Sequence, residues 1–141
     1  MEFSPLREEV IELDRGVTVI NDCYNANPAA MTAALGHLAS LAGNRRRVAV
    51  LGGMAELGAE AAAYPRATGA EVARAGVDVL VAVGPLATGY LEGAEGVSSI
   101  YVDTADDAAD AVRKIVEPGD VVLVKGSRAV GLEAVAAKLR S

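Results

Sequence analysis

The chain has 141 residues, 52% of them hydrophobic and 23% charged, with a net charge of -6 and a pI near 4.8. That length suits one globular domain with a true core, and the acidic balance, which would repel a phosphate backbone, argues against nucleic acid as a partner. Cys23 is the single cysteine, which excludes an internal disulfide and a Cys-based metal framework. No stretch approaches the roughly 20 apolar residues that span a bilayer, and Met1 to Leu13 carries acids where a signal peptide has an apolar centre, so the chain is expected to be cytoplasmic with no membrane insertion.

In chain order, Glu9 to Leu13 mixes acids with apolar residues, as a half-exposed edge strand does. Val17 to Ile20 is the first of five Val-rich runs, the others being Val48 to Leu51, Val77 to Val83, Ile100 to Val102 and Val121 to Val124. With one Phe, four Tyr and no Trp, the core falls to Val, Leu, Ile and Ala. Between the runs lie helical spacings: Met31, Leu35 and Leu38; then Ala105, Ala108, Ala109, Val112, Ile115 and Val116, with Asp106, Asp107 and Asp110 outward; and last Leu132, Val135, Ala136 and Leu139. Arg45 to Arg47 is read as a solvated strand entry, and Glu92 to Ser99, with Gly93 and Gly96 inside it, as a surface loop.

Near-continuous apolar strands alternating with helices predict an α/β fold. The expected architecture is a doubly wound, mostly parallel sheet of about six strands, with helices on both faces and one antiparallel edge strand. In such sheets ligands bind beyond the carboxyl ends of the strands. Four turns are expected to share that edge: Asn21 to Pro28, Gly52 to Gly58, Gly84-Pro85, and Lys125 to Arg128.

The first turn is dense in polar groups. Asp22 could bind a ribose hydroxyl, and Asn25 and Asn27 offer paired donors and acceptors; equally, Asn27 could cap the helix and Asp22 brace the turn, and composition does not choose. In the last turn, Gly126 permits close approach, and Ser127 opens a helix whose amides attract an anion. Lys125 and Arg128 add cations beside it, so a carboxylate or phosphoryl group is the natural guest, unless Ser127 is only a cap and Arg128 only solvated. Met54 and Glu56 sit between glycines in a loop able to lie against a ligand. His37, the only histidine, has no Cys/His company, so no metal site is expected. Neither G-x-x-x-x-G-K-[ST] nor a strand-following G-x-G-x-x-G occurs, and the chain alone is expected not to hydrolyse ATP.

Taken together the turns resemble one family. Asp22-Cys23-Tyr24-Asn25-Ala26-Asn27-Pro28 is similar to the D-x-Y-N-A-N-P signature of the D-alanyl-D-alanine-adding Mur ligases. Val50 to Gly58 is similar to their V-L-G-D-M-x-E-L-G loop, and Gly119 to Arg128 to their G-D-x-V-L-V-K-G-S-R strand and turn. The resemblance runs from about Arg7 to the C-terminus and implies a Rossmann-like C-terminal domain over 1–141, with 1–6 as linker.

It also implies that the N-terminal and central ATPase domains, with the P-loop and the Mg2+ ligands, are absent, so that the fragment alone is inactive. The whole ligase would use ATP to activate a carboxylate of UDP-N-acetylmuramoyl-tripeptide and join it to D-alanyl-D-alanine. By likeness, Arg7, Asp22, Tyr24, Asn25 and Asn27 would bind the nucleotide. Met54, Glu56, Lys125, Gly126, Ser127 and Arg128 would face the dipeptide. Two residues depart from the pattern: Gly53 stands where Asp is usual, and Pro65 where His is common. A stand-alone binding module of the same fold, or the equivalent domain of a folylpolyglutamate or cyanophycin-type ligase, are the other readings; the Y-N-A-N-P and K-G-S-R pair argues against the second.

Overall fold

All six expected strands join one sheet. The computed structural model describes residues 9–22, 28–53 and 63–125. Its elements are β1 (Glu9–Glu12), β2 (Thr18–Asp22), α1 (Pro28–Ala42), β3 (Arg47–Gly52), α2 (Ala63–Arg74), β4 (Val79–Val83), α3 (Thr88–Gly93), β5 (Ser98–Val102), α4 (Ala105–Ile115) and β6 (Val121–Lys125). The strand order is β1-β2-β6-β3-β4-β5. β1 pairs antiparallel with β2, and every other pairing is parallel. The last strand in the chain, β6, is thus slotted between β2 and β3, where all five of its residues are buried.

The apolar runs are unbroken because both faces of the sheet are covered. Side chains alternate along each strand. Ile20, Ala49, Leu51, Leu80, Ala82, Val121 and Leu123 fall on one face, packed with Met31, Leu35 and Leu38 of α1, Val72 of α2 and Tyr90 of α3. Val19, Val48, Val50, Val81, Val83, Val122 and Val124 fall on the other, packed with Ala108, Ala109 and Val112 of α4. Among the described residues, α1, α2 and α3 therefore share one side and α4 holds the opposite one. The expected Leu132 to Leu139 helix lies outside the described residues.

The expected helical spacing that begins at Ala105 forms α4, and its two ends are matched to the helix dipole. The Thr104 hydroxyl accepts a hydrogen bond from the Asp107 N–H at 3.1 Å, Asp106 and Asp107 fill the first turn, and Arg113 and Lys114 fill the last. Such capping and dipole complementarity each contribute on the order of 1 kcal/mol or less. Thr104→Ala is expected to lower stability by about 1 kcal/mol, read as a lower urea midpoint with an unchanged slope.

Two expectations are corrected. Glu92 to Ser99 is not a single loop: Glu92 and Gly93 end α3, Ser98 opens β5, and the connection is only 94–97. Gly93 serves helix packing instead of loop freedom. A Cβ built on Gly93 would run into the Arg66 carbonyl oxygen and come within 2.9 Å of the Ala70 nitrogen, and one on Gly69 would run into the Tyr90 carbonyl oxygen, so α2 and α3 cross with their backbones nearly touching.

Nor is the Arg45 to Arg47 run merely solvated, since each arginine fastens a different neighbour at the amino end of the sheet. Arg45 donates to the Gly119 carbonyl at 2.8 Å, the Gly16 carbonyl at 2.7 Å and the Thr18 hydroxyl at 3.0 Å. Arg46 pairs with Asp120 at 2.8 Å. Arg47 donates to the Ala75 carbonyl and, at 2.7 Å, to that of Gly43.

Candidate ligand-binding rim

The parallel register aligns the strand ends. Asp22 of β2 is opposite Lys125 of β6, and Lys125 is opposite Leu51 of β3. Gly52 is opposite Val83 of β4, and Val83 is opposite Val102 of β5. Five strands thus finish along one row, and their carboxyl ends form a single edge. Asp22 and Lys125, 103 positions apart in sequence, are direct neighbours in the sheet.

Of the candidate residues, Asp22 and Lys125 belong to described strands, Asp22 through its backbone. Arg7, Tyr24, Asn25, Asn27, Met54, Glu56, Gly126, Ser127 and Arg128 lie outside the described residues. Lys125 is buried, with 2% of its surface exposed, a rare state for a lysine that marks the rim end of β6 as chemically distinct from the valines before it. Gly53 follows β3 directly and is buried. Pro65 is the third residue of α2, in the first helical turn where proline is tolerated. At the end of β4, Gly84 turns the chain with φ 88°, a left-handed value suited to glycine, and Pro85 starts a short 3-10 turn through Ala87.

Sequence reasoning passed over Tyr90. Its side chain is wholly buried, and its hydroxyl donates to the Gly52 carbonyl at 2.8 Å, across 38 residues. Burial pushes the phenol well above its ordinary value of 10.0, so the hydroxyl keeps its proton and its donor role. A tyrosine in a chain almost bare of aromatics was the available signal, because a buried phenol needs a partner. Among the described residues, no buried side-chain nitrogen or oxygen lacks a hydrogen bond, no group of three or more His, Cys, Asp or Glu could hold a metal ion, and no helix is long and apolar enough to cross a membrane.

A mostly parallel sheet covered on both faces, with Asp22 and Lys125 side by side at its carboxyl edge, defines an α/β domain of the open-sheet class, in which ligands are generally held beyond the strand ends. The chain belongs to the Mur ligase family, since residues 6–128 match the domain described as "Mur ligase, glutamate ligase domain". It is 43% identical over 155 residues to UDP-N-acetylmuramoyl-tripeptide--D-alanyl-D-alanine ligase of Mycobacterium tuberculosis, covering 92% of this chain and 30% of that protein. Among solved structures it resembles the MurF ligase of Thermotoga maritima in complex with ADP, with a TM-score of 0.82, 28% identity, and coverage of 99% of this chain and 31% of that one. MurF of Acinetobacter baumannii gives a TM-score of 0.83 at 30% identity, over 99% of this chain and 31% of that one. The chain thus spans about a third of the length of the relatives it matches.

Proposed function

We propose that residues 1–141 serve as the nucleotide- and dipeptide-binding domain of an ATP-dependent cytoplasmic ligase of peptidoglycan synthesis. The ligase joins D-alanyl-D-alanine to UDP-N-acetylmuramoyl-tripeptide. The observation that carries this reading is the row of strand ends that makes Asp22 and Lys125 neighbours, because it brings the first and last of the three family-like motifs to one place. The names of the relatives point the same way.

In this reading Asp22 holds the nucleotide ribose, Tyr24, Asn25 and Asn27 line its pocket, and Arg7 reaches toward the phosphates. Met54, Glu56, Lys125, Gly126, Ser127 and Arg128 receive the dipeptide, whose free carboxylate suits a guanidinium fork beside a helix N-terminus. ATP and Mg2+ would be served by a P-loop and metal ligands outside this chain. When bound, ATP would supply the phosphoryl group that activates a substrate carboxylate, with ADP as the leaving group. This chain's share is to hold the dipeptide amine in line for attack, a gain of orientation that can be worth several kcal/mol. Gly53 removes a charge from that wall, which leaves Glu56 as the carboxylate able to stand in for it.

The test is a chimera in which this chain replaces the matching part of the Mycobacterium tuberculosis relative. Phosphate release is expected to depend on D-alanyl-D-alanine. Arg128→Ala should raise the dipeptide KM about tenfold, the scale of one charge-assisted contact, while leaving the ATP KM unchanged. Dipeptide use unaffected by that change would remove Arg128 from the site, and phosphate release indifferent to the dipeptide would end the ligase reading in favour of a binding module. The chain alone should bind ATP weakly at best; tight binding would mean that the turn chemistry has been misread.

A further inference from the structure

We infer that Tyr90 is a positioning residue for the dipeptide side of the rim, acting through the Gly52 carbonyl; this rests on the ligase reading above. Gly52 closes β3 and stands one residue beyond Leu51, the strand partner of Lys125. It is the last backbone point fixed by the sheet before the chain continues toward Met54 and Glu56. β4 pairs Gly52 with Val83 on one side, and the Tyr90 hydroxyl holds its carbonyl at 2.8 Å.

Tyr90 has no freedom to follow a shift of that carbonyl. It is fully buried in the core shared by α1, α2 and α3, and its own carbonyl oxygen sits against Gly69 in the glycine crossing of α2 with α3. Because that crossing is backbone against backbone, α3 cannot slide without moving α2. α2 is also the helix to which the chain returns after leaving Gly53. α3 is therefore tied to the end of β3 through the Tyr90 hydroxyl and to α2 through the glycine crossing. A core tyrosine needs only some partner; this one spends its hydroxyl on the strand end beside Lys125, where a displacement of about 1 Å is costly to bound-substrate geometry.

Tyr90→Phe keeps the ring and removes the donor. In the chimeric ligase the dipeptide KM is expected to rise about tenfold, with kcat changed less and the ATP KM unchanged. Val112→Ala, in the core on the opposite face of the sheet, supplies a control of comparable or greater stability loss that should leave the dipeptide KM alone. In the chain by itself, the Gly52 carbonyl 13C resonance should shift in Tyr90→Phe and stay put in Val112→Ala.

A Tyr90→Phe ligase with an unaltered dipeptide KM overturns the assignment, as does an equal rise in Val112→Ala, which would make the effect one of stability. If the chimera with Tyr90 intact shows no dipeptide dependence, the ligase reading fails and the role of Tyr90 goes with it. A carbonyl shift would then show that the brace itself is real.

Discussion

Gly93→Ala is expected to destabilise the domain by about 3 kcal/mol or more, lowering the melting temperature by roughly 10 °C. The added methyl would meet only backbone: the Arg66 carbonyl, the Ala70 nitrogen and the Arg66 carbonyl carbon, the last two at 2.9 and 3.0 Å. None of these can rotate away as a side-chain tip would, so α2 and α3 must separate and open a gap along their packed faces. Gly69→Ala should behave alike, because its Cβ would meet the Tyr90 carbonyl and lie 3.0 Å from the Ala94 nitrogen. Gly36 supplies the opposite sign. It is exposed within α1 with nothing near its Cβ, so Gly36→Ala should stabilise by about 0.5–1 kcal/mol through helix propensity and a more restricted unfolded chain. Thermal melts of the three variants decide the matter: a tolerated Gly93→Ala would mean that the helices do not cross this closely.

Arg46→Ala is the second large effect, expected at about 2–3 kcal/mol near neutral pH, below the roughly 3–5 kcal/mol that removing one partner of a fully buried ion pair costs because Arg46 itself is partly exposed. Asp120 is 2% exposed, accepts from the Glu117 N–H at 2.8 Å, and pairs with Arg46 at 2.8 Å. Burial raises its carboxyl above the ordinary 3.8, against the lowering supplied by the Glu117 N–H and by Arg46, and removing the arginine raises it further. A carboxyl whose folded value lies above its unfolded value contributes its full stability below the unfolded value and loses it as pH rises through the folded one. The penalty of Arg46→Ala should therefore be largest at neutral pH and shrink on acidification toward about pH 4, as Asp120 takes up its proton. Urea titrations at several pH values measure this, and adding Asp120→Asn should flatten the dependence. A penalty constant with pH would show that the buried carboxylate is not its source.

Most of the architecture could be read from the residues because burial on both faces leaves its mark in the sequence. A strand with helices above and below must be apolar at every position, and the Val-rich runs from Val48 to Leu51 and Val121 to Val124 are that pattern written out. β1 was equally legible, since its acids suit a half-exposed antiparallel edge. Less could be read where one residue type serves two ends. Gly93 looks like a loop glycine by composition, yet it is fixed by a helix crossing whose partner, Gly69, is 24 residues earlier, and no local pattern announces such a pair. The arginines at 45 to 47 look solvated for a similar reason: their acceptors are mostly backbone carbonyls of Gly16, Gly43, Ala75 and Gly119, which have no sequence signature at all.

For the rim, the sequence by itself determined which turns carry polar chemistry, through Asp22, the two asparagines, and the lysine and arginine around Ser127, because residue type sets what a group can donate, accept or charge. Only the tertiary structure decided which of these strand ends stand side by side. β6 enters between β2 and β3 through long-range pairing whose order is not encoded in any short window, and that insertion makes Asp22 and Lys125 neighbours. It likewise decided that the Tyr90 hydroxyl ends on Gly52, since a buried donor takes whatever acceptor the packing brings to it.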